Sequence, residues 1–184
     1  MEAPTQRYRD LARRFREQAL PHREGAVFEP ATSAELAGAE EALGCRFPAS
    51  YGWFQLEFDD WPQGPLDVYS VRRPQTGRYN IVGINQDERT DACSPLPPHL
   101  IAFSDNGGGD LCCFDTAALQ GGECPVVWWD HEGDETQEHE VAAPSFLDWL
   151  EAELKERAEE APGSLLDSLP HVYQQWMREW FKNK

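Results

Sequence analysis

The stretch Ile101-Ala-Phe-Ser-Asp-Asn-Gly-Gly-Gly-Asp-Leu-Cys-Cys-Phe-Asp115 decides the fold. Two apolar runs of strand length flank Asp105-Asn-Gly-Gly-Gly-Asp110, whose glycines supply the positive φ that a hairpin connection needs. Working outward, further short β-type runs lie at 66–71, 81–84, 100–104, 111–115 and 126–129, each bounded by turn residues. Gln120-Gly-Gly-Glu123 is a second tight turn. Strands this closely spaced leave no room for crossover helices between them, which predicts a mainly antiparallel sheet of five to six strands.

Helical patterns flank this region. Thr32-Ser-Ala-Glu35 reads as a capping box, and Leu36, Ala39, Glu40 and Leu43 continue the turns until Gly44 closes them. Pro48 then suits the first position of a second helix, with Tyr51, Phe54 and Phe58 along one side. Downstream, Ser145 starts a helix striped by Phe146, Trp149, Leu150 and Leu154, and Pro162-Gly163 ends it. The expected class is α+β, with N- and C-terminal helices packed on the sheet.

The two ends of the chain differ in character. Residues 6–20 place Tyr8, Leu11, Phe15 and Ala19 at helical spacing among Arg7, Arg9, Arg13, Arg14 and Arg16. The bland expectation is an amphipathic helix lying on an acidic surface of its own domain; the rival is a nucleic-acid arm. Residues 162–184 carry Leu165, Leu169, Val172, Tyr173, Trp176, Met177, Trp180 and Phe181, a broad apolar face that must pack back on the domain or join a homodimer.

Charge excludes several functions. With 33 acidic against 16 basic residues in 184, the net charge is −17. Such a surface repels phosphate, so direct nucleic-acid binding and docking on an anionic membrane are disfavoured, while a basic protein partner is attracted. The start has no apolar signal-like run and nothing approaches a membrane span. Five cysteines, an odd number in a chain too large to need a disulfide scaffold, read as reduced thiols of a cytoplasmic protein.

The familiar site signatures fail one by one. Cys112 and Cys113 point to opposite faces of a strand and no C-x-x-C pair exists, so no zinc site is expected. Counted from Asp130, an EF-hand would need Gly at Glu135 and Glu at Val141. His131 and His139 lack zincin spacing, and the Gly107–Gly109 run has carboxylate flanks and no following Lys-Ser/Thr. A cysteine nucleophile served by His99 or His131 has little support. No metal, cofactor or catalytic residue is expected.

Charge placement is the positive signal. Twelve acids lie between Asp130 and Glu160, opposed only by Lys155 and Arg157, and Glu57-Phe-Asp-Asp-Trp61 is a second acidic-aromatic patch. Carboxylates steer and pair with a basic protein while aromatics anchor it. The candidate protein-binding residues are Asp59, Asp60, Trp61, Asp130, Glu132, Asp134 and Glu135.

The order of these pieces resembles the SUKH superfamily, relatives of the fungal Smi/Knr cell-wall regulators. Leu43-Gly-Cys-Arg-Phe-Pro-Ala-Ser-Tyr51 resembles its helix link, and residues 101–115 its glycine-rich hairpin. Pro125-Val-Val-Trp-Trp-Asp-His131 resembles its next strand, and Ser145-Phe-Leu-Asp-Trp-Leu150 its closing helix. The four pieces cover about residues 28–155 of a single domain of 1–184, with 162–184 as a C-terminal helical extension. The chain departs from the pattern at Phe58-Asp-Asp-Trp61, where many members have Asn-Gly, and in its Arg-rich start and last thirty residues. The resemblance implies an α+β fold and no catalysis. Bacterial members are typically immunity proteins that bind and block a toxin; fungal members are regulators and scaffolds with long disordered arms that this chain lacks. The expected function is therefore neutralisation of a basic protein toxin by occlusion. If that toxin is a nuclease, carboxylates would fill the place of phosphates. The alternative is a scaffold assembling through its C-terminal helix, anchored by Trp176 and Trp180.

Overall fold

A computed structural model describes residues 4–19, 30–58, 68–72, 79–90, 94–133 and 137–159. Its helices are α1 (Gln6–Ala19), α2 (Ser33–Leu43), α3 (Ala49–Phe58), α4 (Ile81–Arg89) and α5 (Phe146–Glu159). Its strands are β1 (Leu100–Asp105), β2 (Leu111–Asp115), β3 (Val126–Trp129) and β4 (Val141–Ala143). They form one antiparallel sheet in sequence order. The α+β class stands, with four strands among the described residues where five to six were expected.

The difference has two sources. Residues 81–84 are helical because Asn80 caps them: its Oδ1 accepts the Gly83 N–H at 2.8 Å, and Gln86-Asp87-Glu88-Arg89 extends the helix. A cap and good helix formers outweigh the β-propensity of Ile81, Val82 and Ile84. Residues 68–72 form no ladder, only a one-residue parallel bridge from Ser70 to Asn80. The short β4 has too little alternation to be seen in the sequence.

Other local expectations hold. Thr32 and Glu35 complete their reciprocal capping box, and Gly44 ends α2 at φ 67°, a left-handed conformation that suits glycine. Pro48 sits just before α3 and its carbonyl accepts the Gly52 N–H. A carboxylate from a distant turn finishes that helix start. Glu123 accepts both the Ser50 N–H at 2.9 Å and its hydroxyl at 2.8 Å, pinning the Gln120–Glu123 turn to α3.

The core is largely aromatic. Tyr51 of α3 and Phe146 and Trp149 of α5 pack against Phe103 of β1 and Phe114 of β2, whose rings stack at 4.1 Å, and Phe54 of α3 packs on Phe146. Helix α1 lies outside this layer. Phe15 meets Phe54 and Phe58 at 5.1 and 4.8 Å, and Tyr8 meets Trp53 at 5.4 Å. Cys112 and Cys113 are neighbours in β2 and both are fully buried.

The free edge of β1 is closed by a side chain. Buried Asn85 donates from Nδ2 to the Ala102 carbonyl at 2.8 Å and accepts the Ala102 N–H at 2.8 Å. Its amide thus takes the place of a neighbouring peptide. Next to it, the Tyr69 N–H donates to the Phe103 carbonyl at 2.7 Å, where β1 bulges.

Candidate functional site

The acids of the sequence sort into two groups. On α5, Asp148 and Glu151 receive Arg7 at 2.6 and 2.8 Å, and Arg14 lies 3.6 Å from Glu151. The hydrogen bonds that Arg7 donates to Glu151 and Asp148 push its guanidinium further up. Burial would raise the Asp148 carboxyl, but Ser145 and Arg7 hydrogen bonds together hold it below its usual value. Glu57 is taken by Arg16 and by the Tyr8 hydroxyl at 2.7 Å. The arginine-rich helix therefore lies on an acidic surface of its own protein.

The second group gathers at the tip of the β1–β2 hairpin. The predicted residues Asp130 and Glu132 sit in the turn after β3, where Asp130 Oδ1 accepts the Glu132 N–H at 2.8 Å. Beside them His131 Nδ1–H donates to Asp110 Oδ1 at 2.9 Å. That bond raises the imidazole above its usual value and lowers the Asp110 carboxyl below its own. His131 lies across Gly109. A Cβ there would stand 2.7 Å from the ring, and φ is 113°, so only glycine fits. Among the described residues no arginine or lysine pairs with Asp105, Asp110, Asp130 or Glu132.

A cleft of about 180 Å³ opens on the same tip, between Tyr69, Tyr79, Glu88 and Asp105, with Gly107 and Gly109 on its rim. Tyr69 is positioned from α3: Tyr51 Oη–H donates to the Tyr69 carbonyl at 2.9 Å and Gln55 Nε2–H at 3.1 Å. Its own hydroxyl donates to Asp105 Oδ2 at 2.8 Å, while Oδ1 accepts the Gly107 N–H at 2.8 Å. Burial, then the charge of Asp105, drives the Tyr69 phenol well above its usual value, so it stays a donor. Tyr79 has φ 78°, the one positive value among described non-glycine residues. Such a backbone costs on the order of 1–3 kcal/mol and persists where surrounding contacts impose it.

Of the predicted site, the structure thus joins Asp130 and Glu132 and adds Asp105, Asp110, Tyr69, Tyr79 and Glu88. Asp59, Asp60, Trp61, Asp134 and Glu135, like Trp176 and Trp180 of the 162–184 segment, lie outside the described residues. Asp105 and Asp110 were visible as flanks of the glycine turn; no local signal marks the tyrosines or Glu88.

Other chemistry is limited. Asp110, Asp130 and His131 each offer one ligand atom within 4.8 Å of the others, but His131 is already bonded to Asp110 and among the described residues the group stops at three. Burial pushes the thiols of Cys45 and Cys124 up to about 11 and about 12, and those of Cys112 and Cys113 higher still. They stay protonated near neutrality and are poor nucleophiles. A larger groove of about 390 Å³ runs past Leu36, Phe47, Pro48 and Leu119 and is mainly apolar. No helix among the described residues is long and apolar enough to cross a membrane.

No curated protein matches the chain. Among solved structures it is similar to a protein from Pseudomonas syringae pv. tomato, with a TM-score of 0.58 and 19% identity over 78% of this chain and 95% of that one. That likeness concerns the fold. The SUKH_5 family, SMI1-KNR4 cell-wall, matches residues 9–155, and so takes in most of α1, which the motifs alone leave outside the family-like core of 28–155. A match over most of the length, with hairpin, helix link and closing helix in order, places the chain in the SMI1-KNR4 cell-wall family, SUKH_5.

Proposed function

We propose that this protein is a non-catalytic binding protein of the immunity type, which neutralises a basic protein toxin by laying its acidic hairpin tip over the toxin's active site. One observation carries this: Asp105, Asp110, Asp130 and Glu132 converge on one exposed end of the sheet without a described arginine or lysine partner, whereas Asp148 and Glu151 of α5 are already paired. An uncompensated group of carboxylates speeds encounter with a basic surface, and pairs formed on docking hold it. The free thiols Cys45, Cys112, Cys113 and Cys124 fit a reducing cytoplasm. Asp59, Asp60, Trp61, Asp134 and Glu135 are proposed to contribute to binding on the charge and aromatic pattern of the sequence alone. The scaffold alternative rests on residues 162–184 and ranks second.

The test is a low-salt pull-down eluted with a salt gradient, followed by association kinetics with the protein recovered and a protection assay. One basic partner, released over a narrow salt range, is expected. Reversal of charge by Asp130→Lys with Glu132→Lys should slow its association about tenfold or more and flatten the salt dependence. Unchanged on-rates would remove the tip from the interface, and recovery of the protein alone would favour the scaffold.

A further inference from the structure

We propose that His131 is a built-in competitor for the basic partner's cation: its imidazolium occupies Asp110 in the acidic tip, and docking of the partner releases that proton to solvent, a claim that rests on the binding function proposed above. Binding therefore strengthens as pH rises.

Strand register places the competitor. Leu111 of β2 pairs with Trp129 of β3, so the next rung sets Asp110 beside Asp130 and brings His131 to the hairpin. Asp130 is held there by Gln137, which bonds both its N–H and its carbonyl at 3.0 Å. The imidazole lies over Gly109, where a Cβ would stand 2.7 Å from the ring, and Nδ1–H donates to Asp110 Oδ1 at 2.9 Å. Asn106 orients that carboxylate from its other side, donating from Nδ2 to Oδ2 at 2.9 Å. With side-chain exposures of 42% for His131 and 37% for Asp110, the pair lies within reach of a docking protein.

The charge it carries is removable. Among the described residues, His131 faces Asp110 from the hairpin and Asp130 and Glu132 from its own turn. No described arginine or lysine pairs with these three, so the imidazolium is the cation the fold itself supplies to them. An arginine or lysine in its place would stay charged, whereas an imidazole gives up its proton near neutrality. The bond to Asp110 is the main cause that raises the imidazole, and the charges of Asp110, Glu132 and Asp130 add to it. A cation brought by a partner reverses this: it takes over the carboxylates and repels the imidazolium, and the proton leaves. Reciprocity requires that loss of the proton favour the partner by the same factor.

The experiment is an NMR titration of the full chain at low salt with the capped peptide Ac-Arg-Gly-Arg-Gly-Arg-NH₂, whose charge is constant between about pH 5.5 and about pH 8.5. Amides of Gly107, Gly109 and Asp110 report binding, and the imidazole protons of His131 report its midpoint. Affinity should rise about threefold across that range, and saturating peptide should lower the His131 midpoint by about half a unit, which is the same coupling read from the other side. His131→Gln cannot titrate and should show a flat profile; the midpoint shift is read on the wild-type chain and needs no variant to fold. Saturable binding with a flat wild-type profile and an unmoved midpoint would overturn the proton coupling and leave the acidic-face function standing. An equal midpoint shift with the neutral citrulline counterpart of the peptide, or no saturable shift at the tip, would also overturn it. A falling midpoint with no basic partner recovered from the pull-down would support the coupling and overturn the toxin-binding function.

Discussion

On α5, Asp148 and Glu151 lie against Arg7 and Arg14 of α1, a helix that also buries Tyr8, Leu11 and Phe15 in the core. At the hairpin tip, the partners of Asp105, Asp110 and Asp130 among the described residues are hydrogen-bond donors of their own turns, Tyr69 and His131. Both regions are acidic in the sequence. The first is an intramolecular interface whose charges are matched within the chain; the second keeps its field directed outward. Counting carboxylates cannot separate them, because what matters is whether the fold delivers a cation to each.

The comparison can be broken most forcefully at α1. If its docking is an apolar contact finished by ion pairs, Phe15→Ala should lose about 3–5 kcal/mol in denaturant unfolding, whereas Arg7→Ala should lose at most about 1 kcal/mol. Equal losses would make charge the main tie. A smaller effect belongs to the tip. Gly109→Ala must move His131 and adopt a strained φ, which should cost about 1–2 kcal/mol by thermal unfolding; wild-type stability would show that the ring does not rest there. The smallest is a titration. His131 is raised and Asp110 lowered, so their pairing is complete between the ordinary values of 3.8 and 6.5, is lost as pH rises through the raised imidazole value, and is lost as pH falls through the depressed carboxyl value. Asp110→Asn should bring the His131 midpoint down in an NMR titration, while Asp148→Asn should leave it in place.

What could be read in the sequence follows the range of the physics. Capping boxes, a glycine C-cap, hairpin glycines and a helical stripe are local, and Thr32, Gly44, the Asp105–Asp110 turn and Phe146–Leu154 all stand where their patterns put them. Ile81–Ile84 misled because three β-branched residues hid a cap at Asn80 one position upstream. The cleft was invisible for a different reason: Tyr69, Glu88 and Asp105 come from three separate segments, and only the packing of α4 and residues 68–72 along β1 brings them together. Asp130 and Glu132 were found by charge, but their neighbour Asp110 had been set aside as a turn residue.

The amide of Asn85 on the β1 edge has a consequence for the fate of many copies of this chain. An open strand edge is a template onto which another chain can add, and then another. Here that row is interrupted at Ala102 and Phe103 by groups of the same molecule, and the opposite edge, β4, runs for only three residues. Among the described residues neither edge of the sheet offers a long unpaired row, which disfavours fibrous growth by addition of strands.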